Sequence, residues 1–104
     1  MMLLPLDEID AVESEGNYVR LHSGVRSHLV RDTMAGFEAR LASDRFCRIH
    51  RGWIINLDRV REVATRPNGE HELILRDGRR LRVGRAYREA VYARLKGNGT
   101  NIQH

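Results

Sequence analysis

Arg45-Phe46-Cys47-Arg48-Ile49-His50-Arg51-Gly52-Trp53-Ile54-Ile55-Asn56-Leu57-Asp58-Arg59-Val60 decides how the rest of the chain is read. Two short runs within it, Phe46 to Ile49 and Trp53 to Asn56, are rich in aliphatic and aromatic side chains and read as strands. Between them His50-Arg51-Gly52 makes a polar, basic corner. A cationic chain reversal between two apolar strands is the unit from which the pattern extends in both directions.

Toward the C-terminus, Val60 to Thr65 reads as a further strand, and Pro67-Asn68-Gly69 turns the chain into Glu72 to Leu75. Asp77-Gly78 is a hairpin signal of the kind that supplies two positive φ angles, returning the chain as Arg80 to Val83. Gly84-Arg85 then leads into a helix from about Ala86 to Leu95, with Tyr87, Val91 and Leu95 along one side. Residues 96–104, rich in Gly and Asn, read as a flexible C-terminal tail. Toward the N-terminus, Leu6 to Val12 reads as a first strand followed by the loop Glu13-Ser14-Glu15-Gly16-Asn17. Tyr18 to His22 alternates, with Val19 and Leu21 on one face, and turns at Ser23-Gly24 into Val25 to Val30. Asp32 or Thr33 caps a short helix, Met34 to Ala42, in which Met34, Phe37, Glu38 and Leu41 share a face. The expected class is mainly β, with hairpins and two short helices in one domain.

Composition narrows the function. At 104 residues the chain is one domain, and 41% hydrophobic with 31% charged residues is too apolar for disorder and too charged for a membrane span. No apolar run approaches the roughly 20 residues of a transmembrane helix, and Met1 to Asp7 lacks the basic flank of a signal peptide, so a cytoplasmic location without membrane contact is expected. A single cysteine, Cys47, excludes an intrachain disulfide and a multi-thiolate zinc site, and reads as buried filler. The formal charge is +4, but Asp7, Glu8, Asp10, Glu13 and Glu15 precede the first cation, which leaves the remainder strongly basic. Every cation except Lys96 is arginine, whose planar fork grips a phosphate or a guanine edge with two hydrogen bonds. Arg48, His50 and Arg51 cluster at one corner, and Arg76, Arg79, Arg80, Arg82, Arg85 and Arg88 crowd a hairpin and the next helix start. Two such clusters on one edge make a ridge able to follow a nucleic-acid backbone.

Other classes find less support. Histidines, serines and Cys47 supply the groups of an enzyme, but nothing in the sequence assembles a nucleophile, a base and an orienting group. His22 and His28 are candidates to face each other across a hairpin, yet no third ligand accompanies them, so no metal or cofactor is expected. A sequence-independent single-strand binder needs exposed aromatics among its arginines, and only Tyr18 and Tyr87 qualify. Trp53, Ile55, Phe46 and Phe37 have the spacing of core residues.

The pattern Phe46-x-Arg48-Ile49-His50-Arg51-x-Trp53-Ile54-Ile55-Asn56-Leu57-x-x-Val60 resembles the signature of the LytTR family of bacterial DNA-binding domains. Leu6-Asp7-Glu8-Ile9-Asp10-Ala11-Val12-Glu13-Ser14-Glu15-Gly16-Asn17-Tyr18-Val19 and Leu81-Arg82-Val83-Gly84-Arg85-x-Tyr87 agree with it in order and spacing, so the resemblance covers residues 3–95. It implies small antiparallel sheets with short helices and a non-enzymatic role in transcription regulation. It further implies sequence-specific binding of double-stranded DNA at paired direct repeats, through loops in the major groove, often downstream of a receiver or sensor domain.

The resemblance also assigns residues. It places one reading loop at Ser14 to Tyr18, where Asn17 is either a turn residue or offers its amide to an adenine edge, with Arg20 just beyond. A second is His50-Arg51-Gly52, with Arg51 on a base and His50 either orienting the loop or meeting a phosphate. A third is Val83-Gly84-Arg85, where Arg85 is the principal base contact. Arg48, Arg82 and Arg88 flank these loops as backbone contacts or loop support, holding register without reading sequence. Asn56 is expected to secure a turn. Gly84 stands where the family often has serine, giving up a phosphate donor and letting the backbone approach DNA. The family's opening strand is longer than Met1 to Pro5, so the chain reads as an excised domain or a short one, with a shortened first sheet. The carboxylates at positions 7–15 are expected to oppose phosphate near the first loop.

Overall fold

The computed structural model describes residues 4–97, and its sheets follow from where the alternating segments find partners. β1 (Ala11–Glu15), β2 (Tyr18–Ser23), β3 (Arg26–Arg31), β4 (Phe46–His50) and β5 (Trp53–Asn56) form one antiparallel sheet in the order β3-β2-β1-β5-β4. β6 (Val60–Thr65), β7 (His71–Leu75) and β8 (Arg80–Val83) form a three-stranded antiparallel meander. Helix α1 (Met34–Glu38) follows β3, and α2 (Arg88–Gly97) follows β8.

The large sheet is a wall between two cores. On one face Val12, Val19, Leu21, Phe46 and Ile54 pack against Met34, Phe37 and Leu41 of the α1 region. On the other, Ala11, Cys47 and Ile55 meet Val63, Leu73, Leu81 and Val83 of the meander together with Val91 and Leu95 of α2. Neighbours Ile54 and Ile55 enter opposite cores because successive side chains on a strand alternate, which is why β5 reads as a continuous apolar run. Between Arg48 and His50 the β4–β5 register shifts, and the Ile49 carbonyl there accepts the Gly84 N–H at 2.8 Å, tying the end of β8 to β4.

Asn56, 1% exposed, is the buried polar residue that joins these parts. Its amide donates to the Ile9 carbonyl at 3.0 Å and the Asp7 carbonyl at 3.4 Å, while its oxygen accepts the Asp58 N–H at 3.0 Å. It therefore secures the 3₁₀ turn Leu57–Arg59, as expected, and also fastens the incoming N-terminal segment.

Several boundaries depart from expectation for local reasons. Leu6–Glu8 is a 3₁₀ turn begun by Pro5, whose carbonyl accepts the Glu8 N–H, so the first strand starts at Ala11 rather than Leu6. It then runs through Glu15, because Glu13 and Glu15 pair with Arg20 and Tyr18 of β2 and face outward, leaving Gly16-Asn17 as the loop. Gly16 supplies the positive φ (62°) that this tight turn needs. In the second hairpin Gly78 alone has positive φ (90°). Arg76-Asp77-Gly78 is a three-residue loop in which the Gly78 N–H meets the Leu75 carbonyl, so Asp77 keeps an ordinary φ. Helix α1 stops at Glu38 and continues as tighter turns, yet Leu41 still reaches the core. The second helix begins after a 3₁₀ turn at Arg85–Tyr87 and carries Lys96 and Gly97 within it. The rest of the expected tail, residues 98–104, lies outside the described residues. His28 pairs with Leu21 and His22 with Ser27, so the two histidines occupy opposite faces of the hairpin.

Replacing Asn56 by Ala strands the buried Ile9 carbonyl and uncaps the turn. The expected loss is about 2–4 kcal/mol, measured by urea unfolding. Cys47 gives a pH signature. Burial pushes its thiol pKa up, so the folded chain binds the thiol proton more tightly than the unfolded chain. That contribution is full below the ordinary thiol value of about 8.5 and is lost as pH rises through the raised folded value. Urea midpoints should fall above about pH 8.5 in wild type and fall less in Cys47→Ser.

Candidate nucleic-acid interface

Strand register brings separate loops to one rim. Pairing of Tyr18 with Glu15 and with Arg31, of Glu13 with Trp53, and of Trp53 with His50 puts three features at the same end of the large sheet. They are the Gly16-Asn17 turn, the His50-Arg51-Gly52 corner and the C-terminal end of β3. The Ser14 N–H donates to the Gly52 carbonyl at 2.9 Å, linking the first loop to the second, and the Gly84–Ile49 bond links the second to the third. In the meander, His71 pairs with both Thr65 and Val83, so the turn at Pro67-Asn68-Gly69 joins the rim as well.

Partnership separates the arginines on this molecule. Most are engaged with protein acceptors, but among the described residues Arg26, Arg31, Arg51, Arg76 and Arg85 have no hydrogen bond or ion pair through the side chain. Arg51 and Arg85, the two residues expected to read bases, are thus both exposed and both uncommitted. Asn17 is likewise exposed, with its amide unpartnered.

Of the flanking cations, Arg48, Arg88 and Arg20 are engaged with the scaffold. Arg48 donates from Nε to the His50 carbonyl at 3.1 Å and from Nη2 to the Arg51 carbonyl, while Nη1 lies 3.3 Å from Glu38. It grips the second loop from beneath and has little left for a phosphate. Arg88 is half-buried and donates to the Gly69 carbonyl at 3.2 Å, holding the neighbouring turn. Arg20 forms a two-pronged pair with Glu15 at 2.6 and 3.0 Å and also reaches Ser27, on the outer face of the sheet. Arg82 remains exposed, between Glu70 at 3.7 Å and His50 at 3.1 Å.

His50 faces two donors: the Gly52 N–H at 3.1 Å from Nδ1 and the Arg82 guanidinium at 3.1 Å from Nε2. A neutral imidazole accepts at one nitrogen only, so one of these contacts holds at a time. The tautomer that accepts from Gly52 carries its proton on Nε2, and the one that accepts from Arg82 carries it on Nδ1. The contact with Gly52 ties His50 to its own corner, and the contact with Arg82 ties it to β8.

Of the five acids at positions 7–15, four have basic partners and Glu8 has none among the described residues. Asp7 lies against Arg45, Asp10 against Arg59, Glu13 against His22 and Glu15 against Arg20. The hydrogen bond from Arg20 holds the Glu15 carboxyl below its ordinary pKa. Gly84 has a reason other than DNA approach. Its N–H is already donated to Ile49, and a Cβ there would press to 3.2 Å from the Tyr87 ring. Of the aromatics, Tyr87 packs against the core and Trp53 stacks on His22 at 5.6 Å, so Tyr18, 43% exposed, is alone as an outward ring. No cluster of metal-ligating side chains exists among the described residues, and no described helix is long and apolar enough to cross a membrane.

Two features of the rim escaped the sequence. One is the turn at Asn68 to Glu70, which with Arg82, Arg85 and Arg88 walls a cavity of about 350 Å³. The other is Arg31, which shares a second cavity of about 540 Å³ with Ser14, Asn17, Arg48 and Arg51. Neither has a local signal, since only sheet order reveals their neighbours.

Two antiparallel sheets sharing one wall, with uncommitted arginines carried to a rim by turns, define a small β-rich domain with a loop-built cationic surface. The family model described as the LytTr DNA-binding domain matches residues 1–96, and the chain belongs to that family. It is 32% identical over 91 residues to the transcriptional regulatory protein BtsR of Escherichia coli, covering 86% of this chain and 36% of that protein. It is 26% identical over 87 residues to the sensory transduction protein LytT of Bacillus subtilis, covering 84% of this chain and 36% of that one. The chain thus spans little more than a third of these relatives. A solved LytTr DNA-binding domain from Bacillus cereus has the same fold, with a TM-score of 0.80 at 20% identity over 88% of this chain and 84% of that one.

If His50 orients the corner, His50→Ala removes the acceptor of the Gly52 N–H. Amide exchange at Gly52 should then rise up to about tenfold while amides in β5 are unchanged, a comparison made by NMR hydrogen exchange.

Proposed function

We propose that this domain binds double-stranded DNA sequence-specifically, reading base edges in the major groove through its loops, as the DNA-binding part of a cytoplasmic transcription regulator. The observation that carries this reading is that Arg51 and Arg85, at neighbouring loops of one rim, lack protein partners while Arg48, Arg82 and Arg88, which flank those loops in the sequence, have them. A guanidinium left solvated in the free protein meets two acceptors of a guanine without first breaking an internal ion pair. Asn17 offers its amide to an adenine edge from the adjoining turn. Arg82 meets phosphate. Arg48 and Arg88 act through the loops they hold, and Arg20 acts by neutralising Glu15. The site proposed is paired direct repeats, one domain on each, with a receiver domain as the regulatory partner. The names of the relatives support a regulatory role, LytT being a sensory transduction protein and BtsR a transcriptional regulatory protein. A single-strand binder would need a stacking platform, and Tyr18 alone does not make one.

The test is a mobility-shift titration over salt, using a duplex selected from a random pool and a scrambled control. Log affinity should fall with log salt at about 0.9 per phosphate contact, with the selected duplex preferred throughout. Equal affinity for both duplexes at every salt concentration overturns base reading. Arg85→Ala should cost about 1–3 kcal/mol on the selected duplex and flatten its preference, and Arg51→Ala should do the same at a different base position.

A further inference from the structure

We propose that Arg31 is a fourth contact of the interface, clamping the sugar–phosphate chain beside the groove that Arg51 enters. This rests on the duplex-binding reading above and adds a residue that the sequence did not indicate.

Arg31 ends β3, the edge strand of the large sheet, directly across from Tyr18 at the Gly16-Asn17 turn. It is exposed and has no side-chain partner among the described residues, a condition it shares with Arg51 and Arg85. It also lines the same cavity as Asn17 and Arg51. The carboxylate in that cavity belongs to Asp32. It accepts the Thr33 N–H at 2.8 Å and lies 3.6 Å from Arg40, so its charge is already answered and does not claim Arg31.

Sheet order sets what Arg31 can reach. Along the rim the sequence of features is the end of β3, the β1–β2 turn, the β4–β5 corner and then the end of β8. From β3 to β5 is three strand spacings, about 14 Å. The major groove is about 12 Å wide. With Arg51 inside the groove, a side chain that leaves the sheet about one groove-width away is placed to meet the flanking phosphates. Arg31 therefore fixes register and adds affinity without choosing sequence.

The same strand supplies a matched control. Arg26, at the other end of β3, is also exposed and unpartnered, but it pairs with Ser23 beside the Gly24 turn, away from the rim. Salt titrations of wild type, Arg31→Ala and Arg26→Ala on selected and scrambled duplexes therefore separate contact from bulk charge. Arg31→Ala should lower the salt slope by about 0.9, so that its affinity deficit shrinks about threefold between 50 and 200 mM salt, equally on both duplexes. Arg26→Ala should keep the wild-type slope. No change of slope in Arg31→Ala, or an equal change in Arg26→Ala, overturns the assignment, as does a loss of preference in Arg31→Ala. Wild type binding both duplexes alike would instead sink base reading while leaving the slope comparison to decide Arg31.

Discussion

Burial of β5 on both faces is the constraint from which the rest follows. Ile54 and Ile55 can satisfy opposite cores only if the large sheet has the α1 region on one side and the meander on the other. Register is then fixed, because a one-residue slip would exchange the two cores' side chains. Fixed register in turn sets where each strand ends. The Gly84–Ile49 hydrogen bond carries this order from the large sheet to the meander, so that loops distant in sequence share a rim.

The arginine content acquires meaning only against this frame. A guanidinium that grips carbonyls, as Arg48 does beneath the second loop, converts charge into shape. One without a partner keeps its charge and hydrogen-bonding capacity for a ligand. Composition cannot distinguish the two, since both are arginine in basic surroundings. Charge pairing makes the same distinction for the acids: Glu15 belongs to Arg20, whereas the Glu8 carboxylate has no partner among the described residues.

Strands with strong local signals were legible in the sequence. Trp53–Asn56, Val60–Thr65 and Arg80–Val83 lie where β-branched and aliphatic runs meet turn residues. Failures occurred where tertiary pairing overrides local preference. Glu13-Ser14-Glu15 has the composition of a loop but is strand, because β2 offers Arg20 and Tyr18 opposite. Arg51 and Arg85 stand out in the sequence only through a resemblance, whereas their freedom from partners is a fact of packing. Arg31 was invisible for a related reason. Nothing between residues 18 and 51 announces that an edge strand will end beside a corner twenty residues later.

On the proposed reading, loops rather than a helix meet the duplex because α2 is already occupied. Val91 and Leu95 hold it to the core, and Arg94 is bound to the Ser43 and Phe46 carbonyls. A helix so anchored cannot also lie in a groove with its long face forward. Reading by loops carries an entropic cost unless the loops are stiff before the ligand arrives. The second loop meets that condition through Arg48, the His50 acceptor for Gly52 and the Ser14–Gly52 bond. The meander turn meets it through Arg88. Engaged arginines thus make the free ones effective: the former fix the backbone from which the latter project.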